Sequence, residues 1–309
     1  MADSTARAGS IGAQFVALAI VWGASFLFIK VSLSGLSPAQ VMVGRLALGG
    51  TFLAAVMLVT RRRWPRDART WGALTAISVF LCVVPFLLYA WAGQYIPSGL
   101  SSIYNATTPI ATLLVSLIVL PDERLTRART AGLLIAAGGV IVVAAPWDAV
   151  SAAGDGPLLL AQLACLGACL CYGIAFVLSR RLLRANQYDS TTIAAGQIVL
   201  AAGIGLALAP FVGGFEPIEA TPAVVGGMLA LGVIGTGLAY IWNTRVIAAW
   251  GATAASTVTY VTPVVGVVLG ILVLGETIHW NEPAGGVLVV LGILISQGRL
   301  ARAARLQRA

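Results

Sequence analysis

The chain has 309 residues, of which 59% are apolar and only 10% are charged. A soluble domain is about half apolar and about a quarter charged, so this excess is too large for one soluble core of this size. The apolar residues also fall in runs of about 20, the length that crosses a bilayer as a helix. The composition therefore predicts an all-α membrane protein.

Turn residues and charges divide the chain into ten apolar segments joined by short connections. The segments lie at 11–33, 38–60, 71–94, 98–120, 129–146, 157–179, 190–213, 221–243, 251–274 and 283–298. The first exceeds the apolar core of a secretory signal, about 7–15 residues, so we expect it to remain as the first span. The sequence therefore predicts ten transmembrane helices and no room for a soluble domain.

Basic residues predict the orientation of these spans. Apart from Lys30 and Arg45, which fall inside spans, the 19 Lys and Arg residues lie in the tails and in alternate connections. The opposite connections hold only carboxylates: Asp148, Asp155, Glu216, Glu219, Glu276 and Glu282. The positive-inside rule then places both termini in the cytoplasm. Because topology explains the net charge of +8, we predict no nucleic-acid partner.

An internal repeat covers most of the chain. Four features of the first half recur in order in the second, at offsets of 150 to 154. The pairs are Trp22-Gly23 with Phe26 and Tyr172-Gly173 with Phe176; Tyr89-x-Trp91 and Tyr240-x-Trp242; Thr108-Pro109 and Thr262-Pro263; and Glu123 with Gly139 and Glu276 with Gly292. Each copy holds five predicted spans, and because five is odd the copies must have opposite orientation. This is the inverted-repeat architecture of secondary transporters.

The repeat also sets the domain organisation. We predict a cytoplasmic tail at 1–10, a first five-helix repeat at 11–146, a periplasmic linker at 147–156, a second repeat at 157–298 and a basic cytoplasmic tail at 299–309. The two copies differ at two places. The first carries an extra residue at its turn before Glu123, and Gly196 stands where the second copy would match Arg45. The halves therefore need not bind a substrate equivalently.

These motifs resemble the EamA-type branch of the drug/metabolite transporter superfamily over about residues 12 to 298. The matching features are Trp22-Gly23-x-Ser25-Phe26, Arg45, and the Pro109 and Pro263 spans, each followed by a Glu and a Gly-rich fifth helix. The resemblance implies a cavity lined by the first, third and fourth helix of each half. It also implies a homodimer through the fifth and tenth helices, in those relatives that dimerise, and a multi-pass protein of a bacterial inner membrane.

Polar residues form one-sided stripes in the fourth and ninth spans. The first stripe includes Asn105 and Thr108, and the second consists of Thr253, Ser256, Thr257 and Tyr260. Such stripes suit a cavity wall between symmetry-related helices. They equally suit interhelical hydrogen bonds, worth about 0.6 kcal/mol each in a membrane bundle.

Aromatic residues form a second candidate set. Trp22, Phe26, Tyr89, Tyr172, Phe176 and Tyr240 occupy matched positions in the two halves. Aromatic walls suit apolar or aromatic ligand groups and can stack on cations. The alternative is plain helix packing.

Arg45 lies about seven residues, or about 10 Å, inside its helix. An Arg near a helix centre costs about 2.5–3.5 kcal/mol on insertion scales, so we expect something to compensate it. Helix carbonyls, water, a loop carboxylate such as Glu276, or an anionic group of the substrate could do so. A structural role and a ligand contact both remain open for Arg45.

Pro109 and Pro263 each remove a helix hydrogen bond near mid-membrane. They are either hinges for opening and closing or static kinks.

The function that fits best is a secondary transporter that exports small metabolites, such as amino acids or related zwitterionic or anionic compounds, by alternating access. A polyspecific drug exporter is the alternative, but no carboxylate lies well inside a span to bind a cationic drug. An intramembrane enzyme, a receptor and a scaffold fit less well. The four cysteines lie in apolar runs and the chain has one His, so we predict no catalytic residues, no metal site and no cofactor.

Overall fold

A computed structural model describes residues 2–119, 126–144, 156–185, 188–213, 216–251 and 255–296. All regular structure within these residues is helical. The segments, in chain order, are α1 (Ala2–Ser32), α2 (Pro38–Val59), α3 (Ala68–Ala92), α4 (Ser98–Val119), α5 (Arg127–Ala144), α6 (Gly156–Ala185), α7 (Ser190–Phe211), α8 (Pro222–Trp250), α9 (Ser256–Leu274) and α10 (Asn281–Ser296).

In the described part of the chain, nine of these helices are long and apolar enough to cross a membrane. The apolar part of α10, Asn281–Ile295, is shorter. The chain is therefore a multi-pass membrane protein. The tenth predicted span, 283–298, runs past the described residues, as do the predicted linker, the basic tail and the loop that holds Glu123.

Two helices run further at their C-terminal ends than the sequence predicts. α6 continues past residue 179 to Ala185, and α8 continues past residue 243 to Trp250. Ala, Leu and Arg are good helix formers, so a helix can extend beyond its membrane-buried part. Arg245 consequently lies on the exposed face of a helix rather than in a connection, which corrects the prediction for that residue.

Capping residues define where several helices begin. Ser37 and Gln40 form a capping box at the start of α2, with Pro38 in the first turn. Asp67 caps α3 and Asp189 caps α7 by accepting backbone hydrogen bonds. Thr221 caps α8 in the same way. These caps fix the residues at which the helices begin.

Matching helices of the two halves depart from α-geometry at matching places. α3 contains a π-helical turn at Val79–Val83, and α8 contains one at Ala230–Leu238, 151 residues later. α4 is interrupted at 106–107, just before Pro109. α9 opens with a 3₁₀ turn at Ser256–Tyr260, just before Pro263. Such turns widen or break a helix and are frequent at functional sites.

α5 and α10 pack with their backbones in contact. A Cβ on Gly139 would lie 2.8 Å from the Gly285 carbonyl oxygen, and one on Gly292 would lie 2.5 Å from the Gly132 carbonyl oxygen. Small residues allow this approach, which is how helices gain contact area in a bilayer. The pair thus joins the last helix of one half to the last helix of the other.

Loops from different halves meet at one end, which we call the arginine-rich end (residues 60–67 and 188–189). Arg62 forms an ion pair with Asp189. The Tyr188 hydroxyl donates to Asp67 at 3.1 Å and accepts from the Arg66 backbone N–H at 3.1 Å. Side-chain and backbone hydrogen bonds from Thr70 lower the pKa of Asp67 below its usual value.

The opposite end, which we call the carboxylate-rich end, joins residues 33–40 and 93–99 to residues 213, 216–221 and 275–280. The Gly35 carbonyl accepts from the Glu219 N–H, and the Ser37 hydroxyl donates to the Gly213 carbonyl. Glu276 accepts hydrogen bonds from the Ser98 and Gly99 backbone N–H groups at 2.6 and 3.0 Å. A carboxylate is stabilised there because it faces the N-terminus of α4. Loops predicted on the same side of the membrane therefore contact one another.

Candidate functional site

A central cavity lies between the two halves of the bundle. Helices from both halves contribute to its wall. The lining residues are Trp22, Ser25, Phe26, Ile29, Arg45, Leu81, Phe86, Tyr89, Asn105, Tyr172, Phe176, Tyr240 and Thr259. Ligand pockets for small molecules usually have a largely apolar wall with few polar groups. The lining of this cavity matches that description.

Aromatic rings of one half contact aromatic rings of the other half in two matched pairs. Trp22 of α1 packs edge-on against Tyr240 of α8, with ring centroids 5.8 Å apart. Tyr172 of α6 stacks on Tyr89 of α3 at 6.1 Å. The first helix of each half thus contacts the third helix of the other. Offset and edge-on pairs at these distances are favourable and hold the rings in place.

The glycine after each first-helix aromatic explains its close approach. A Cβ on Gly23 would lie 3.0 Å from the Thr262 carbonyl oxygen of α9. A Cβ on Gly173 would lie 2.7 Å from the Ala111 carbonyl carbon of α4. Each first helix therefore packs on the proline helix of the opposite half. Because of this contact, the residue before each glycine, Trp22 or Tyr172, lies in the cavity wall.

Pro85 makes a further link across the cavity. Proline has no N–H, so in an α-helix it leaves the carbonyl four residues earlier without its usual donor. That carbonyl belongs to Leu81, and it accepts a hydrogen bond from the Tyr240 hydroxyl at 3.1 Å. The hydroxyl of this cavity tyrosine is therefore held by the other half of the molecule.

Arg45 is 5% exposed and lines the cavity from α2. Its Nε donates to the Thr236 hydroxyl at 2.8 Å, and its guanidinium carbon lies 3.7 Å from the centroid of the Phe86 ring. The Thr236 hydroxyl in turn donates to the Leu231 carbonyl, five residues earlier, within the π-helical turn of α8. Glu276, which the sequence offered as a loop counter-ion, bonds to the start of α4 instead.

The two proline helices meet beside the cavity. The Asn105 side-chain N–H lies 3.4 Å from the Thr262 hydroxyl, and the Asn105 carbonyl oxygen accepts from the Tyr89 and Thr108 hydroxyls at 3.3 Å. The Thr262 hydroxyl donates to the Thr259 carbonyl, which Pro263 leaves without a donor. The break before Pro263 is thereby satisfied by a side chain, as interrupted helices at membrane depth require.

The cavity gathers eight of the twelve residues that the sequence proposed as substrate contacts: Trp22, Phe26, Arg45, Tyr89, Asn105, Tyr172, Phe176 and Tyr240. The other four, Thr108, Ser256, Thr257 and Tyr260, are not among its lining residues. Thr108 is fully buried and bonds to Asn105. The sequence analysis missed Ser25, Ile29, Leu81, Phe86 and Thr259, although Ser25 and Ile29 share a helical face with Trp22 and could have been found by their spacing.

Lys30, the second basic residue inside a span, binds backbone carbonyls, whereas Arg45 lines the cavity. Its ammonium donates to the Gly93 and Ile96 carbonyls at 2.7 and 3.1 Å, just beyond the C-terminus of α3. A cation is favourable there because the last carbonyls of a helix carry partial negative charge. Within the described residues, no group of three or more His, Cys, Asp or Glu side chains could hold a metal ion.

Comparisons with known proteins agree on one family. The model of the EamA-like transporter family matches residues 10–145 and 159–297. An uncharacterized transporter of Archaeoglobus fulgidus is 27% identical over 89% of this chain and 94% of its own length. The uncharacterized inner membrane transporter YedA of Escherichia coli is 28% identical over 93% and 90% of the two chains.

Two further relatives add to this comparison. A probable terminal-alkyne amino-acid exporter of Streptantibioticus cattleyicolor is 25% identical over 91% of both chains. A protein of known crystal structure, 20% identical, superposes with a TM-score of 0.66 over 96% of this chain and 99% of its own. At that identity the likeness shows the fold alone.

Proposed function

Since this chain belongs to the EamA-like transporter family, we propose that it is a secondary transporter of the inner membrane that exports small metabolites by alternating access. The carrying observation is the central cavity, which both halves line with aromatic rings around one buried arginine. Amino acids or related zwitterionic or anionic compounds suit its charge and its aromatic lining. The name of the Streptantibioticus relative, a probable amino-acid exporter, supports the same class.

The proposed architecture has ten spans arranged as two inverted five-helix repeats with both termini in the cytoplasm. Two observations support it: the family model matches two consecutive stretches of similar length, and the π-helical turns of α3 and α8 lie at matching positions. An odd number of spans in each repeat gives the copies opposite orientation. Rocking of one half against the other would then expose the cavity to each side in turn.

A homodimer through α5 and α10 remains part of the proposal. The two helices pack tightly on each other within one chain, and Leu134, Ile141 and Val287 remain exposed on their outer surface. In a bilayer this surface contacts either lipid or a second protomer. Light scattering of the purified protein in detergent would distinguish the two states by mass.

Efflux from proteoliposomes tests the transport function. Liposomes loaded with a panel of radiolabelled amino acids and their deaminated or amidated analogues should release at least one compound faster than protein-free liposomes. Ser25→Phe, which fills the cavity, should abolish that difference, whereas Ser34→Phe at an exposed loop position should not. Release at the protein-free rate for every compound would contradict the proposal.

Cysteine labelling tests the orientation. A single cysteine at Glu216 should react with a membrane-impermeant maleimide added outside cells, whereas one at Arg66 should react only after permeabilisation. The native cysteines are first replaced, since Cys171 is not fully buried. Labelling of Arg66→Cys from outside would overturn the assigned orientation.

A further inference from the structure

The guanidinium of Arg45 is held in place, but within the described residues only its Nε donates a hydrogen bond to the protein. Its Nε bonds to Thr236 and its guanidinium carbon lies over the Phe86 ring, so these two contacts hold it in position. Its two terminal nitrogens make no hydrogen bond with the part of the chain that the structure describes. Since Arg45 lines the cavity, these terminal N–H groups are available to a molecule inside it.

The charge of Arg45 has no counter-ion in the cavity. An arginine stays protonated in a protein, so the residue cannot become neutral as a lysine could. None of the lining residues is Asp or Glu. A buried charge without a partner is unfavourable, and an anion bound beside it would remove that penalty. The site therefore favours a ligand that carries negative charge.

The arrangement of the two terminal guanidinium nitrogens of Arg45 favours a carboxylate. Two terminal nitrogens of one guanidinium form a planar fork that matches the two oxygens of a carboxylate. The Tyr172 hydroxyl, which belongs to the same cavity wall as Arg45 and makes no hydrogen bond within the described residues, can supply a further donor. The remaining wall is largely aromatic, which disfavours a strongly hydrated multiply charged anion.

The other lining residues indicate which apolar group the ligand carries and which charged group it does not need. The rings of Trp22, Phe26 and Tyr89 line the same cavity as Arg45 and suit a flat apolar group. An α-ammonium next to the bound carboxylate would lie close to the guanidinium and be repelled by it. The other polar lining groups, Ser25, Asn105 and Thr259, are neutral.

We propose that the cavity binds monocarboxylic acids with an aromatic or bulky apolar body, that Arg45 holds their carboxylate, and that an α-amino group is not required. The inference rests on the proposed transport function and narrows its substrate class. Arg45 sets specificity for the acid, while the aromatic wall sets it for the body.

Four probes with the same phenylethyl body separate the effect of the carboxylate on binding from that of the ammonium group. They are 3-phenylpropanoate, L-phenylalanine, 3-phenylpropanamide and phenethylamine. Their binding to the purified full chain in detergent is measured by titration calorimetry. We expect 3-phenylpropanoate to bind about ten- to hundredfold more tightly than the amide, the range that a charged hydrogen-bonded pair provides. L-phenylalanine should bind more weakly than 3-phenylpropanoate, and phenethylamine more weakly still.

Arg45→Gln keeps most of the side-chain length but removes the charge, so it should bring the affinities for acid and amide together. Arg245→Gln, on the exposed face of α8, is the matched control and should leave the preference unchanged. If Arg45→Gln does not fold, the ratio of acid to amide affinity in the unaltered protein still decides the question.

Three results would overturn the inference. The first is equal binding of acid and amide by the unaltered protein, or an unchanged preference in folded Arg45→Gln. The second is tenfold tighter binding of L-phenylalanine than of 3-phenylpropanoate. The third is no binding of any of the four probes. If other compounds are still released from proteoliposomes, only this substrate class fails, whereas release of none defeats the transport function itself.

Discussion

At the scale of single residues, Arg45 shows how a charge is accommodated inside a span. Its insertion costs about 2.5–3.5 kcal/mol, and one hydrogen bond with one ring contact offsets part of that. Both partners lie far away in sequence: Phe86 is in α3 and Thr236 is in α8. The arginine therefore links α2 to a helix of each half, which gives it a structural role alongside the proposed ligand contact.

The first prediction concerns the hydroxyl that anchors Arg45. Thr236→Val keeps the shape of this fully buried side chain but removes the acceptor of the Arg45 Nε. Losing a hydrogen bond to a charged group should lower the free energy of unfolding by about 1.5–3 kcal/mol, seen as a lower thermal midpoint in detergent. Thr75→Val, which also removes a threonine hydroxyl but on an exposed face, should leave the midpoint nearly unchanged. Equal midpoints for both variants would show that Thr236 does not stabilise the arginine.

At the scale of helices, the contact between the first helix of one half and the proline helix of the other depends on one glycine. Gly173→Ala would place a methyl group 2.7 Å from the α4 backbone, so α6 would have to move. We expect a loss of about 1–3 kcal/mol in stability, and slower transport because Tyr172 would shift with the helix. Gly167→Ala in the same helix meets only one side chain at 3.7 Å and is the control. A stability of Gly173→Ala no lower than that of Gly167→Ala would show that this contact can relax freely.

The α5–α10 pair offers a control at the adjacent position. A Cβ on Gly139 meets the backbone of α10 within 3.0 Å, whereas a Cβ on Gly138 has no neighbour within 4 Å. Gly139→Ala should therefore lower the thermal midpoint. Gly138→Ala should raise it slightly or leave it unchanged, since alanine is favoured over glycine in a helix by about 0.8–1.0 kcal/mol. Similar midpoints for the two variants would contradict the close packing of these helices.

Much of this element-level organisation could be predicted from the sequence. Apolar run length predicted the nine helices of the described residues that are long enough to cross a membrane. The repeat inferred from the matched Trp22-Gly23 and Tyr172-Gly173 pairs stays a prediction. The register of α9 could not be predicted. We assigned Tyr260 to the cavity wall on a 3.6-residue period, but the first turn of α9 is a 3₁₀ helix with three residues per turn, and Thr259 lines the cavity instead. The partners of Arg45 could not be predicted from the sequence either, because they depend on how the two halves pack against each other.

At the scale of the whole molecule, alternating access requires the contacts between halves at each end to break in turn. Within the described residues, the polar contacts at the arginine-rich end include the Arg62–Asp189 ion pair and the hydrogen bonds of Tyr188. Directly below them, Leu74 of α3 packs on Gly196 of α7, which belongs to the other half. Separation of α3 from α7 would expose position 74, so a cysteine there reports opening at this end.

The protonation of Asp189 determines the pH range in which its contact persists. Burial raises the pKa of Asp189, but hydrogen bonds from Thr192 and Thr191 and the charge of Arg62 outweigh that effect and hold the pKa below its usual value. A depressed pKa in the folded state means that the contact is fully present above the ordinary carboxyl range and is lost as the pH falls through the lowered value. Between pH 6 and 8 the ion pair should therefore stay constant.

The last prediction combines these points in a background without native cysteines. Leu74→Cys should react slowly with a water-soluble maleimide, and adding Arg62→Ala should increase the rate about two- to fivefold, the effect of losing an exposed ion pair worth up to about 1 kcal/mol. Arg69→Ala removes a nearby exposed arginine and should not change the rate. Because Asp189 remains ionised, the ratio of rates with and without Arg62→Ala should be the same at pH 6 and pH 8, even though each rate rises as the thiol ionises. Equal rates with and without Arg62 would mean that the ion pair does not help to keep this end closed, and that the packing of Leu74 on α7 alone does so.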